Sequence, residues 1–164
     1  MKLYLAGPDV FRPDAMAWAE AARQLCQAAG HVALIPLDGV ETTAPGIYHA
    51  NIDLIRSADA VLANLNPFRG CEPDSGTCVE VGFALALGKP VIGYLADAET
   101  TTARVERVSG SALEWRNGRP LDQDGLYVED FGLPLNLMLA VPARIVIGGL
   151  GDAVQAASAA GVGL

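Results

Sequence analysis

The stretch DAVLANLNPFRGCEPDSGTCVEVGFALALGKPVIGYLA, residues 59–96, carries the strongest indication of how this chain folds. Its apolar ends, DAVLANL (59–65) and PVIGYLA (90–96), have the length and composition of strands. Residues 76–88 between them predict a helix that Asp74 or Ser75 can cap and that Gly88 ends before Pro90. A strand, a helix and a second strand at this spacing predict a parallel βαβ unit.

The same alternation continues on both sides of this stretch. It predicts further strands at 2–6, 31–36 and 143–149, and further helices at 14–30, 47–58, 134–140 and 150–161. Five strands with intervening helices favour a flavodoxin-like α/β three-layer sandwich, with a five-stranded parallel sheet in the order 2-1-3-4-5. We expect residues 1–164 to form a single domain. Residues 97–132 show no clear period and predict a long loop or lid.

Composition and charge exclude several classes of function. A net charge of −8 argues against a nucleic-acid or anionic-membrane surface, because such surfaces need clustered Lys and Arg. The apolar runs are too short to span a bilayer, and MKLYLAG lacks the long apolar region of a signal peptide. We therefore expect a cytoplasmic protein, for which a neutral or cationic small molecule remains a possible ligand.

Sequence motifs narrow the site further. The first strand is followed by Gly7 and Pro8 rather than by GxGxxG, and no GxxxxGK[ST] occurs, so dinucleotide and P-loop sites are disfavoured. No HExxH or CxxC pattern indicates a metal, and we expect neither a metal nor a cofactor. In parallel sheets of this kind, ligands bind at the carboxyl ends of the strands. This rule selects the turn at 7–9 with Gly7 and Pro8, residues 36–38 after the second strand, the loop 65–75 and the loop after Ala96, and it places Glu80 near the same edge.

Glu80 is the anomaly within the helix. Residues 76–87, GTCVEVGFALAL, are apolar or small at nearly every position, and Glu80 is the one charge among them. At about 100° per residue, Glu80 shares a stripe with Phe83, Ala84 and Leu87. A helix that is apolar on all sides is expected to be buried, and burying an unpaired carboxylate is costly. A functional reason for Glu80 is therefore favoured over a surface charge.

Two more carboxylates are candidates. Asp53 adjoins Ile52 on the side of its helix that we expect to be apolar, although an ion pair with Arg56 would also account for it. Asp74 serves equally as a helix cap. Enzymes of glycosyl transfer typically use a carboxylate in a dry pocket with a second carboxylate nearby. We expect the N-terminus of the helix to help keep Glu80 ionised.

Four blocks of the chain carry a resemblance to a known family. They are YLAGPDVF (4–11), NIDLIRSADAVLANLNPFRG (51–70), PDSGTCVEVGFALALGKPV (73–91) and EDFGLPLNLML (129–139). In this order, and with the lone glutamate in the third block, they resemble the nucleoside 2-deoxyribosyltransferases. The resemblance implies exchange of nucleobases on 2′-deoxynucleosides through a covalent deoxyribosyl-enzyme with retention of configuration, with a 2′-deoxynucleoside and a free nucleobase as partners.

The resemblance also implies roles for individual residues. Glu80 is similar to the family nucleophile, and Tyr4 resembles the tyrosine whose hydroxyl touches it. Asp53 is similar to the acid that serves the departing base, and Asp74 resembles a ligand of a sugar hydroxyl. Asn136 resembles an asparagine that a neighbouring subunit contributes, which implies a homo-oligomer.

Aromatic residues and the segment 97–132 supply the remaining expectations. Phe11 and Phe68 are suggested as walls for the base by their aromatic character and loop position. If 97–132 forms a lid, one of its acidic residues is expected near the base; these are Asp122, Asp124 and Glu129. The chain ends in AAGVGL (159–164), without the aromatic C-terminal residue of some family members, so no role for this tail is implied.

Two other functions remain open on the sequence alone. One is a 2′-deoxynucleoside or 5′-monophosphate N-glycosidase, in which water resolves the same intermediate. The other is a non-catalytic nucleoside-binding module, because a fold of this kind does not determine its function. The accepted bases and the number of subunits are not indicated.

Overall fold

The computed structural model of the chain describes residues 1–160, and it has the expected flavodoxin-like architecture. Its strands are β1 (Lys2–Ala6), β2 (Val32–Leu34), β3 (Ala60–Asn64), β4 (Val91–Leu95), β5 (Glu114–Arg116), β6 (Arg119–Leu121) and β7 (Arg144–Ile147). Five of them form one parallel sheet in the order β2-β1-β3-β4-β7. The predicted order is confirmed, since β7 is the fifth strand of this sheet.

Helices cover both faces of the sheet. They are α1 (Ala15–Ala28), α2 (Ala44–Ser57), α3 (Ser75–Ala86), α4 (Thr101–Ser109), α5 (Leu137–Ala140) and α6 (Leu150–Ala160), with 3₁₀ turns at Pro8–Phe11 and Pro36–Asp38. The alternation of side chains along β1 shows the layering. Leu3 and Leu5 pack with α1 and α6, whereas Tyr4 and Ala6 pack on the opposite side, against α2 and α3.

The start of α3 fixes the direction of the helix that carries Glu80. The Asp74 carboxylate accepts hydrogen bonds from the Thr77 backbone N–H at 2.9 Å and from the Thr77 hydroxyl at 3.0 Å. Asp74 is therefore the N-cap, which is one of the two alternatives that the sequence left open. Val81 and Ala84 lie on the inner face of α3 and are fully buried, so this face is anchored to the sheet.

Segment 97–132 differs from the expected loop. It contains α4, which Thr100 caps, and an antiparallel hairpin formed by β5 and β6. The buried Arg104 guanidinium fastens α4 by donating hydrogen bonds to the carbonyls of Pro134, at 2.8 Å, and Glu99, at 3.0 Å. The segment is therefore regular structure attached to the residues before α5. The expectation of an aperiodic loop is wrong here.

Smaller differences concern element ends. The second strand stops at Leu34, short of the predicted 31–36, because Pro36 begins a 3₁₀ turn. Helix α2 starts three residues before the predicted 47, where the Thr43 side chain accepts a hydrogen bond from Gly46 at 3.2 Å. Within the described part of the chain, none of the helices has the length and hydropathy needed to cross a bilayer. The end of the tail, residues 161–164, lies outside the described residues.

Candidate active site

A cavity of about 430 Å³ opens at the carboxyl ends of β1 and β2. One wall is the turn after β1, with Gly7 and Phe11, and another is the first half of α3, with Asp74 and Glu80. A third wall comes from the loop after β2 and from the start of α2. The volume lies within the range of small-molecule sites in proteins, and the position is the one where parallel sheets bind ligands.

Tyr4 and Glu80 meet at the floor of this cavity. The Tyr4 hydroxyl donates a hydrogen bond of 2.6 Å to Glu80 Oε1. Tyr4 is fully buried in the middle of β1, whereas Glu80 is half-buried and lines the cavity. The sequence anomaly thus has a structural explanation: one oxygen of the carboxylate is held from below, and the side chain reaches the open site.

Burial controls the protonation of both groups. It raises the pKa of Glu80 from its ordinary 4.5 to about 7; the nearby Asp74 charge acts in the same direction, and the Tyr4 hydrogen bond opposes it. Burial also raises the pKa of Tyr4 well above its ordinary value, and the Glu80 charge adds to this. The Glu80 carboxyl therefore ionises less readily than an exposed glutamate. Tyr4 remains a neutral donor.

The turn after β1 is held by a chain of side-chain amides. Asp9 accepts a hydrogen bond from the Asn64 amide at 2.8 Å, and Asn64 accepts one from the Asn66 amide at 2.8 Å. Gly7 allows the close approach that this requires, because a Cβ at this position would lie 2.8 Å from the Asn64 Cβ. These contacts fix the turn that brings Phe11 to the cavity.

The two predicted aromatic walls have different positions. Phe11 lines the cavity, while Phe68 stacks against the Phe11 ring with centroids 5.5 Å apart. The Arg69 guanidinium lies 4.7 Å from the Phe68 ring centroid. Phe68 and Pro8 line a smaller depression next to the cavity and not the cavity itself. Phe68 therefore supports Phe11 from behind.

Asp53 is not brought to this cavity. Its side chain is 73% exposed and accepts a hydrogen bond from Arg56 at 3.0 Å, so the ion-pair alternative describes its position. The expectation that Asp53 lies on the apolar side of α2 is wrong.

The inward stripe of α2 contains Asn51 instead, at four-residue spacing from both Ile47 and Ile55. Ile47 and Asn51 line the cavity, and Ile55 is fully buried beneath them. Helical spacing alone could have identified Asn51, since Asp53 is two residues further on and faces the other way.

Glu41 is a second cavity residue that sequence reasoning missed. It lies in the loop between the 3₁₀ turn at Pro36–Asp38 and α2, and it lines the cavity together with Leu37 and Gly39. The rule that ligands bind at the carboxyl ends of strands points to this loop after β2. No pattern in the loop distinguishes Glu41 from its neighbours.

The remaining predicted residues lie away from the cavity of their own chain. The Asn136 side chain caps α5 by accepting a hydrogen bond from Met138 N–H at 3.0 Å. Glu129 accepts a hydrogen bond from the Leu137 N–H at 3.0 Å, and Asp122 accepts two from the turn that follows it. Neither they nor Asp124 line the cavity, so the expectation of a lid acid near the base is not met. Among residues 1–160, no three His, Cys, Asp or Glu side chains are grouped as metal ligands would be.

Comparisons with known proteins identify relatives of this chain. A family model described as nucleoside 2-deoxyribosyltransferase matches residues 3–138. A solved structure described as a 2-desoxiribosyltransferase from Leishmania mexicana is 39% identical, with a TM-score of 0.74 over 92% of this chain and 93% of the other. An uncharacterized protein of Schizosaccharomyces pombe is 35% identical over 155 residues, which is 83% of this chain and 74% of the relative.

A more distant structure shares the fold alone. The CMP N-glycosidase BcmB of Clostridium botulinum is 15% identical, with a TM-score of 0.53 over 98% of this chain and 99% of the other.

Proposed function

Because the chain belongs to the nucleoside 2-deoxyribosyltransferase family, we propose that it moves the 2-deoxyribosyl group of a 2′-deoxynucleoside from one nucleobase to another. The observation that carries the proposal is the half-buried Glu80 carboxylate, which lines a cavity at the ligand-binding edge of the sheet. A carboxylate in such a place is the group that attacks an anomeric carbon.

The transfer proceeds in two displacements at C1′. Tyr4 holds Oε1 of Glu80, which leaves Oε2 to attack C1′ as the first base departs. The incoming base then attacks the same carbon and releases Glu80. Two inversions give net retention of configuration. Raising the carboxylate pKa by burial makes it a stronger nucleophile, at the cost of ionising only near pH 7.

Asp74 binds the sugar. Oδ2 of Asp74 is committed to the backbone and hydroxyl of Thr77, and Oδ1 is left to accept a hydrogen bond from a deoxyribose hydroxyl in the cavity. Phe11 stacks on the base, with Phe68 behind it, and the Asn51 amide offers both a donor and an acceptor to the base edge.

A nucleoside suits this cavity better than a nucleotide. Three carboxylates, Glu41, Asp74 and Glu80, line it, and the described lining residues include no Lys, Arg or His. A 5′-phosphate would find no cation among these lining residues to balance its charge.

The site is completed in a homo-oligomer. Support comes from the surface around Asn136, where Met138 is 71% and Val141 is 72% exposed. Apolar side chains exposed this strongly are suited to burial against a second copy, which would bring Asn136 of that copy to the sugar. Base exchange on intact deoxynucleosides would serve nucleoside salvage in the cytoplasm.

Chromatography of a reaction mixture tests the activity. Purified protein is incubated with 2′-deoxyinosine, with and without adenine, and again with thymidine or 2′-deoxyinosine 5′-monophosphate as donor. We expect 2′-deoxyadenosine only when adenine is present, and little reaction of the monophosphate. Hypoxanthine released at one rate with or without adenine would make the protein an N-glycosidase. Binding of 2′-deoxyinosine without any product would make it a binding module.

Light scattering tests the assembly. The wild-type protein is expected to elute as an oligomer, and Met138→Glu is expected to lower its mass because a charge would be buried at the interface. A monomeric wild-type protein with full transferase activity would contradict the shared site.

A further inference from the structure

The chemistry of base departure requires a proton. A neutral purine leaves C1′ as an anion unless an acid protonates one of its ring nitrogens, and the incoming base must lose a proton as it attacks. A side chain that gives and takes this proton typically accelerates such steps by about 100-fold to 10,000-fold. It must lie in the cavity, beside the base.

The cavity offers few groups for this role. Among the described residues that line it, the carboxylates are Glu41, Asp74 and Glu80. Glu80 is reserved for C1′, and Asp74 is tied to Thr77 at the start of α3. The Asn51 amide on the inner face of α2 can hold the base, but an amide does not transfer protons at neutral pH. Glu41 is the carboxyl that remains.

The position of Glu41 fits this role. Its carboxylate lies against the first turn of α2, so closely that a Cβ on Gly46 would overlap it and would also lie 2.9 Å from the Thr43 hydroxyl oxygen. Gly46 thus leaves the space that Glu41 occupies. Ile47 and Asn51 extend the same wall along α2, so Glu41 stands on the wall where the base edge would lie.

We propose that Glu41 is the acid–base residue for the nucleobase, in place of Asp53. The inference rests on the proposed transferase function. In the first displacement the C1′–N bond breaks, its electron pair goes to the base, and the Glu41 carboxyl gives its proton to a ring nitrogen of that base. In the second, the incoming base forms the new C1′–N bond and its proton passes to the Glu41 carboxylate. The proton that leaves with the first base is thus replaced by the proton that the incoming base gives up.

A substrate that needs no acid provides the test. The base of 7-methyl-2′-deoxyguanosine already carries a positive charge, so it departs as a neutral molecule without protonation. Single-turnover release of base is measured at saturating substrate for this compound and for 2′-deoxyguanosine, and each rate is compared with wild type on the same substrate. We expect Glu41→Gln to slow guanine release about 100-fold to 1,000-fold and 7-methylguanine release less than about 3-fold.

Two further variants sharpen the result. Asp53→Asn removes the carboxylate that pairs with Arg56 outside the cavity, and it is expected to keep both rates. Gly46→Ala pushes the Glu41 carboxylate aside without removing it, and it is expected to show a weaker form of the same selective loss.

The other outcomes overturn the proposal. Equal loss on both substrates in Glu41→Gln would mean a structural role, and no loss on either would mean no role. Selective loss in Asp53→Asn would assign the acid to that residue. If the wild-type protein releases neither base, the transferase function fails, and the role of Glu41 fails with it. Normal wild-type transfer with an unaffected Glu41→Gln overturns the role of Glu41 alone.

Discussion

The Tyr4 hydroxyl donates a 2.6 Å hydrogen bond to Oε1 of Glu80, and this contact joins the central strand β1 to helix α3. It lies beneath the cavity and orients the one charged side chain of an otherwise apolar helix. Burial raises the pKa of Glu80, and the hydrogen bond from Tyr4 partly opposes this rise while it fixes the direction of the carboxylate. The first three predictions below follow from it.

Replacing Glu80, the proposed nucleophile, is expected to separate activity from stability. Glu80→Gln keeps an acceptor for Tyr4 but cannot form the ester, so transfer should fall at least about 1,000-fold. The pKa of Glu80 is 4.5 in the unfolded chain and about 7 in the folded one, so the folded state binds the extra proton between these values. The free energy of unfolding of the wild type therefore falls as pH rises from about 4.5 to about 7.

The free energy of unfolding of Glu80→Gln does not fall over this pH range, because the amide of glutamine does not titrate. Above pH 7 this variant should be more stable than wild type by about 1–3 kcal/mol, and near pH 4 the two should be alike. Urea unfolding at pH 4, 6 and 8 measures the difference. A variant that is less stable than wild type at pH 8 would show that the carboxylate has a structural role.

The pH dependence of the reaction is expected to report the raised pKa directly. With 7-methyl-2′-deoxyguanosine as donor, kcat/KM should rise tenfold per pH unit up to about pH 7 and then level off, because Glu80 must be ionised to attack. Tyr4→Phe removes the hydrogen bond that lowers this pKa, so its midpoint should move to higher pH. A midpoint near 4.5 in the wild type would contradict the burial of the nucleophile.

Asp74→Asn is expected to move the same midpoint in the opposite direction. The Asp74 charge raises the pKa of Glu80, and an asparagine removes the charge while still capping α3. Asp74→Ala removes the cap as well and should cost about 1 kcal/mol of stability, measured by thermal unfolding. If the midpoints of Tyr4→Phe and Asp74→Asn moved in the same direction, the electrostatic assignment would be wrong.

Two glycines form a matched pair for the packing of the site. Gly7→Ala would place a Cβ 2.8 Å from the Asn64 Cβ and displace the turn that carries Phe11, with a loss of about 1–3 kcal/mol and a higher KM. Gly82 in α3 has no heavy atom within 4 Å of the corresponding position, so Gly82→Ala should gain about 0.5–1 kcal/mol. Unfolding and KM measured on both variants test this. Equal effects would show that the turn is not constrained.

Sequence patterns predicted the sheet order and the grouping of Gly7, Asp74 and Glu80 at one edge. Both follow from general rules, since connection handedness limits strand order and parallel strands end at the same edge. Patterns also singled out Glu80, because a lone charge in an apolar helix contradicts ordinary burial preferences.

The hairpin of β5 and β6 was missed although its signal was present. Asn117 and Gly118 have φ values of 53° and 74°, which is the type I′ geometry that an Asn-Gly pair favours. The strands around it, Glu114–Arg116 and Arg119–Leu121, are three residues each and have little of the hydrophobic alternation that strand prediction relies on. The charged residues on both sides of the Asn-Gly pair weaken the strand pattern that would mark it as a hairpin turn.

The side of α2 that faces the cavity was also misassigned. The charge of Asp53 draws attention to the exposed face of α2, whereas helical spacing aligns Asn51 with Ile47 and Ile55 on the face towards the cavity. Glu41 could not have been found by periodicity, because it lies in a loop whose path depends on the packing of α2 against β1.

Mass spectrometry of the enzyme during turnover tests the central claim most directly. The protein is mixed with 2′-deoxyinosine without an acceptor, quenched in acid within seconds and digested with a protease. We predict a deoxyribosyl group on the peptide that contains Glu80, its loss when adenine is added before the quench, and its absence in Glu80→Gln. Transfer to adenine by the wild type with no label on Glu80, or with the label on another residue, would contradict the assignment of Glu80 as nucleophile.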